Sequence, residues 1–195
     1  MEQKRLYILC ACILPLMVCT GLVYSMYSLY LAEVLSAPKT HIGLIYMAGA
    51  AVGLLAGPLL GKLSDRIGRK PVILAAMGSF VLIFILYATI RSYVAVYAIQ
   101  LLEGAAWVAI GATATAYIAD TVVQAKRGWA MGVYQQTVSI GWMIGPAFGG
   151  FLFELIGSRY TFLLGAALVI VGFLLVLILV KEPQRQLQNT RKNSQ

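Results

Sequence analysis

The chain has 195 residues, of which 61% are hydrophobic and 11% charged, with a mean hydropathy of +0.84. A soluble domain of that length cannot hide so much apolar surface, because its outside must be largely polar; a chain whose solvent is lipid can. A net charge of +8 would suit nucleic acid, but the basic residues lie in short segments between apolar runs and not on one polar face, which argues against nucleic acid as a partner.

In chain order, the first uncharged run covers residues 6–32. It contains Cys10, Cys12 and Cys19, which read as small lipid-buried residues and not as disulfides or metal ligands. Lys4 and Arg5 precede it, as in a signal peptide, yet its apolar core far exceeds the ~7–15 residues of such a signal. Further runs cover 42–61, 71–90, 92–119 (interrupted only by Glu103), 128–153 and 160–180. Each has at least 20 residues. At ~1.5 Å per residue that crosses a ~30 Å hydrocarbon core. Backbone groups cannot be left unpaired in lipid, and the runs lack the alternation of barrel strands, so the expectation is an all-α membrane protein with six transmembrane helices over residues 1–182. Residues 183–195 form a polar tail.

With six crossings both termini share a side. That side holds twelve basic residues: Lys4, Arg5, Lys62, Arg66, Arg69, Lys70, Lys126, Arg127, Lys181, Arg185, Arg191 and Lys192. The other holds three, Lys39, Arg91 and Arg159. The asymmetry predicts cytoplasmic termini.

The sequence also repeats itself. GPLLGKLSDRIGRK starts at Gly57 and GPAFGGFLFELIGSR at Gly145. With one insertion, Asp65 aligns with Glu154, Ile67 with Ile156, Gly68 with Gly157 and Lys70 with Arg159. Gly49, Gly53, Gly57 and Gly61 step by four before the first copy, and Gly141, Gly145 and Gly149 do so in the second. Residues four apart share a helix face, so each row predicts the close approach of another helix. The copies end on opposite sides of the predicted membrane. Helices 1–3 and 4–6 are therefore expected to be inverted three-helix repeats, a construction found in secondary transporters.

Three stretches resemble the major facilitator superfamily. Gly61-Lys-Leu-Ser-Asp65-Arg66-Ile-Gly68-Arg69-Lys70 matches that family's signature between helices 2 and 3. Gly141-Trp-Met-Ile-Gly145-Pro146-Ala-Phe-Gly149-Gly150 is similar to the antiporter signature of proton-coupled drug exporters. Gln100-Leu-Leu-Glu103-Gly104 is similar to a helix-4 motif, R-x-x-Q-G, of many exporters, but lacks its arginine and has an acid for its glutamine. The resemblance covers residues 1 to about 182, half of the family's usual twelve-helix body, and the polar tail resembles the start of the linker to a second half. It implies that Asp65, Arg69 and Asp120 form a latch, that helices 1 and 4 line a cavity, and that a second six-helix half or a homodimer partner is required.

The residues themselves indicate roles. Asp65 and Arg69 are four apart and can pair if the segment is helical. Gly61 and Gly68 suggest tight turns or close approach. Glu103 is the one ionisable residue deep in a run, and a charge there costs ~2.5–3.5 kcal/mol or more, so it should face a cavity or partner and can serve as a proton carrier. Gln100 lies on nearly the same face, Trp107 four residues on, and Tyr24 and Tyr27 on helix 1 offer further aromatic surface to a flat or cationic ligand. Pro146, flanked by Gly145, Gly149 and Gly150, suits a helix that bends or packs tightly. His41 falls in an external loop with no assigned role. No phosphate-binding loop or hydrolase constellation occurs, so no enzyme is expected. The expected function is proton-coupled efflux of a drug-like or small metabolite substrate across the plasma membrane by alternating access. No cofactor or metal is expected, and the proton gradient is the driving force. The alternatives are an uptake carrier or uniporter, or a non-transporting truncated half or partner subunit of a full-length transporter.

Overall fold

A computed structural model describes residues 2–183 of the chain, so the polar tail lies outside the described residues apart from Pro183. No strand occurs among the described residues. Helix α1 spans Glu2–Leu29 and continues through a π-helical turn, Tyr30–Val34. Helix α2 spans Lys39–Ile67, α3 Arg69–Thr89 and α4 Tyr93–Thr121. A short 3₁₀ turn, Gln124–Lys126, leads into α5, Arg127–Leu179. Among the described residues, five helices are thus long and apolar enough to cross a membrane.

Two joints differ from the sequence expectation, and each is a single glycine. The charged segment 61–67 is not a loop; it is the last turns of α2, which Gly68 ends with φ 103° and ψ 162°. Lys62, Leu63 and Arg66 are good helix formers, so the helix persists until a residue is needed that can take a positive φ. Likewise no loop separates the fifth and sixth predicted spans. Gly157, with φ 77° and ψ 166°, breaks α5 into arms 127–156 and 158–179. His41, expected in a loop, lies in the first turn of α2, where its Nδ1 sits 3.0 Å from the Tyr97 hydroxyl.

Gly68 and Gly157 are the two positive-φ glycines of the described residues, and they are the pair aligned by the repeat. A side chain is strained in that backbone region by about 1–3 kcal/mol. At Gly68 a Cβ would also press within 3.0 Å of the Glu182 carboxylate, whereas at Gly157 it would meet nothing within 4 Å. Both Gly68→Ala and Gly157→Ala should lower the melting temperature of the purified protein, Gly68→Ala by more. Equal melting of Gly157→Ala and wild type would show that its backbone carries no strain.

Packing follows the small residues. Helix α1 lies along α5, α2 along α4, and α3 against α4 and α5. On the α5 row, a Cβ at Gly141, Gly145 or Gly149 would run into the backbone or side chains of Met17, Val18, Leu22 and Ser25 of α1. On the α2 row, Gly49 meets Gly104 of α4, and Gly53 meets Val108. Lipid supplies no hydrophobic drive between helices, so such close approach is what lets dispersion hold them. The rows fade outward: Gly61 has nothing within 4 Å, contrary to the close approach expected there. Buried Tyr27, Tyr30, Tyr87, Tyr117, Phe80 and Phe84 fill the space between α1, α3, α4 and α5. Cys10, Cys12 and Cys19 are buried free thiols.

Candidate functional site

Two polar clusters interrupt the apolar bundle. The deeper one is built on α1, α3 and α4. Glu103 is 1% exposed and Gln100 4% exposed. The Tyr87 hydroxyl on α3 donates to Glu103 Oε2 at 2.6 Å, and lies 2.9 Å from the Tyr27 hydroxyl and 3.0 Å from Gln100 Oε1. Tyr27 donates to Gln100 Oε1 at 2.9 Å. A phenol has one proton to give, and the short contact assigns that of Tyr87 to the carboxylate. Tyr27 then supplies the proton that Gln100 accepts. Glu103 Oε1 is buried with no hydrogen-bond partner within 3.5 Å, although the Tyr24 phenol approaches the same carboxyl group. An unmet acceptor in a dry interior is costly, so this oxygen is where the site differs from a settled core network.

Beside the cluster a groove of about 520 Å³ opens between α2 and α4. Tyr24, Gln100 and Trp107 are walls of it, with Tyr46, Gly49 and Gly53. The Gln100 amide lies against Gly49, where a Cβ would come within 2.7 Å of Nε2. Trp107 stands edge-on to Phe80 with centroids 5.5 Å apart, which fixes its ring plane. Tyr24 is flanked by Tyr27, Tyr46 and Trp142 at 5.7–6.4 Å. The five residues singled out in the sequence thus form one neighbourhood, but in two layers. Tyr24, Gln100 and Trp107 face the groove; Tyr27 and Glu103 are not among its walls and lie behind it toward α3. Gln100 belongs to both layers. Sequence reasoning missed Tyr87, the pivot of the network, and Tyr46. Both sit in charge-free stretches of their helices, whose rotation no motif reveals.

The second cluster lies at the end of the bundle that carries the N-terminus. Arg69, 6% exposed, begins α3. Its Nε donates to Asp120 Oδ2 of α4 at 3.0 Å, and Nη1 reaches Asp65 Oδ1 at 2.7 Å and Ser64 Oγ at 2.5 Å. The Asp65–Arg69 pair forms across the Gly68 joint and not within one helix. Asp120 is 15% exposed and Asp65 61% exposed, so the inner pair holds α3 to α4 while the outer one is screened by solvent. Two residues were not anticipated. Ser64 braces the guanidinium, and Glu182 accepts from the Arg69 backbone N–H at 2.5 Å and that of Lys70 at 2.9 Å. That carboxylate caps α3, satisfying orphan donors at the positive end of its dipole. Lys70 Nζ donates to the Leu177 carbonyl at 2.8 Å. Arg66 is exposed on α2. Pro146 seats its ring beside Gly21 of α1, and Gly150 lies near Met26. No group of three or more potential metal ligands occurs among the described residues.

A family profile described as Major Facilitator Superfamily matches residues 9–195. The chain is 34% identical over 154 residues to the class B tetracycline resistance protein of Escherichia coli, covering 79% of this chain and 37% of that one. It is 29% identical over 166 residues to multidrug resistance protein 1 of Bacillus subtilis, covering 80% and 42%. To the human vesicular acetylcholine transporter it is 31% identical over 141 residues, covering 72% and 26%. The chain therefore spans less than half the length of these relatives. Its fold matches the crystal structure of the human organic anion transporter MFSD10 (TETRAN) with a TM-score of 0.75 at 23% identity, over 93% of this chain and 48% of that one. With matches of this extent to profile, sequence and fold, the chain belongs to the Major Facilitator Superfamily and is a multi-pass membrane protein.

Proposed function

We propose that this chain forms one half of a proton-coupled exporter of drug-like or small metabolite molecules, working by alternating access in the plasma membrane with its termini in the cytoplasm. The observation that carries the reading is the Tyr87–Glu103–Gln100–Tyr27 network directly behind an aromatic groove, with one carboxylate oxygen that has no partner within 3.5 Å and the Tyr24 phenol of the groove wall approaching the carboxyl. A proton taken up at Glu103 Oε1 removes the buried charge, and Oε2 accepts from Tyr87 whether or not that proton is present. Gln100 touches both layers, so a ligand in the groove senses the change through it. The resistance proteins among its relatives suggest efflux.

On this reading the chain makes six crossings as two inverted three-helix repeats. Gly68 and Gly157 share one backbone conformation, and the two glycine rows pack reciprocally, α2 on α4 and the first arm of α5 on α1. A second six-helix half, from the same chain or another copy, covers the groove. Leu54, Leu55 and Leu59 of α2, each more than two-thirds exposed, and the open side of Gly61 offer it a surface. Asp65 then meets a helix of that half, and the Asp65–Arg69–Asp120 cluster acts as a latch at the cytoplasmic end. Driving force comes from the proton gradient, with no cofactor.

The test is transport by the full-length protein in liposomes under an imposed proton gradient, with tetracycline as probe. Accumulation that a protonophore abolishes supports the proposal. Equilibration indifferent to the protonophore favours a uniporter, and no flux above protein-free vesicles favours a partner subunit or a substrate class outside the proposal.

A further inference from the structure

We propose that the chain holds an anionic phospholipid in a cleft between α1 and the second arm of α5, at the end carrying the N-terminus. The site has a polar mouth and an apolar stem. The mouth is a cavity of about 340 Å³ walled by Lys4, Arg5, Ile8, Tyr117, Leu179 and Lys181. Continuous with it, a groove of about 620 Å³ shares Lys4, Ile8 and Leu179, adds Gln3 at its outer end, and runs inward along Tyr7, Ala11, Cys12 and Leu175. From Lys4 to Cys12 the helix rises about 12 Å, close to the depth of one bilayer leaflet. A headgroup with an acyl chain beneath it has that shape and that division of polarity.

Charge selects the headgroup. Lys4, Arg5 and Lys181 converge on the mouth, and none pairs with an acidic residue of the described chain. The carboxylates next to them in sequence form no ion pair with them. Glu182 accepts from the backbone of Arg69 and Lys70, and Glu2 from the backbone N–H of Val123. Tyr117, buried under the mouth, donates to the Lys181 carbonyl at 2.9 Å, which pins that residue's backbone over the cleft. Positive residues that only mark orientation need no cleft; here they crown an apolar groove that opens to lipid, with Tyr7 52% and Leu179 46% exposed on its rim. Basic pockets between membrane helices take anionic headgroups, each Lys or Arg contributing about fivefold in affinity.

Full-length protein would be equilibrated with vesicles of equal phosphatidylglycerol and phosphatidylcholine, extracted in mild detergent, and its retained lipid measured by mass spectrometry. Wild type should retain phosphatidylglycerol over phosphatidylcholine by roughly 25-fold, about fivefold for each of two basic residues. Arg5→Gln with Lys181→Gln should bring that ratio near one, while Lys62→Gln with Lys126→Gln, which removes the same charge elsewhere, should leave it unchanged. Ala11→Phe, which fills the stem and leaves all charges in place, should lower total retained lipid; a loss by the charge variant alone, with Ala11→Phe like wild type, would mean that phosphate and not a lipid is recognised. Equal enrichment in wild type and the Arg5/Lys181 variant, or equal loss in both charge variants, would overturn the site. Should the double variant fail to purify as a single species, Lys4→Gln alone must still lower the ratio about fivefold.

Discussion

Gly145→Ala should cost the protein about 3 kcal/mol or more and leave little of it monodisperse after extraction, although it adds one methyl group. The reason is where that methyl would go. A Cβ on Gly145 points into the backbone of α1 between Val18 and Leu22, and backbone cannot swing aside as a flexible side chain can. Gly104→Ala should behave alike, because its Cβ would be driven onto the carbonyl of Gly49. In each case two helices must separate along their length, and the dispersion lost is not replaced by anything lipid offers. Gly132 supplies the control. It lies in the same arm of α5 as Gly145 but has nothing within 4 Å, so Gly132→Ala should be neutral or slightly stabilising through better helix propensity. Thermal unfolding followed by size-exclusion chromatography reads all three. If Gly145→Ala melts with Gly132→Ala, the close packing of α5 on α1 is not what holds the bundle together.

The contrast between these glycines also shows what the sequence could and could not announce. Steps of four placed Gly49, Gly53, Gly141, Gly145 and Gly149 on shared faces, and geometry then requires those faces to be narrow. The same arithmetic included Gly61, where it failed, because spacing identifies a face but not how far a neighbouring helix follows it. Charge-free runs located the apolar segments, yet they overstated the joints. Hydropathy falls at Lys62 and Glu154 whether the backbone continues as helix or not; a tight turn was expected at Gly68 as at Gly61, and only the repeat that aligned Gly157 with Gly68 pointed to the second break. At the deep cluster, Glu103 was conspicuous as a lone acid among apolar residues, and Gln100 followed from helical spacing. Tyr87 was not legible. A tyrosine in an apolar helix carries no signal of which way its hydroxyl points, and its partners are supplied by two other helices. Glu182 was hidden for a related reason: its role depends on the end of α5's second arm meeting the start of α3, a long-range placement that no local pattern encodes.

Glu103→Gln should abolish accumulation of substrate against its gradient while leaving substrate exchange across the membrane intact. The substitution keeps the size of the side chain and a carbonyl oxygen that can accept from Tyr87, so the packing of α4 on α3 is preserved. On the proposed function, what it removes is the ability to take a proton on one side and give it up on the other. The groove walls Tyr24, Gln100 and Trp107 are untouched, so binding and the exchange of one substrate molecule for another persist. Gradient-driven uptake into vesicles and counterflow at equal pH on both sides separate the two processes. Tyr87→Phe provides the complementary perturbation. It removes the donor to the carboxylate but leaves the carboxyl group, so accumulation should persist, weaker than in wild type, where Glu103→Gln abolishes it. Accumulation in Glu103→Gln equal to wild type would place the proton site elsewhere. Loss of both accumulation and counterflow in a well-folded Glu103→Gln protein would mean that the carboxylate is needed for the substrate itself, and the two layers of the site would then have to be read as one.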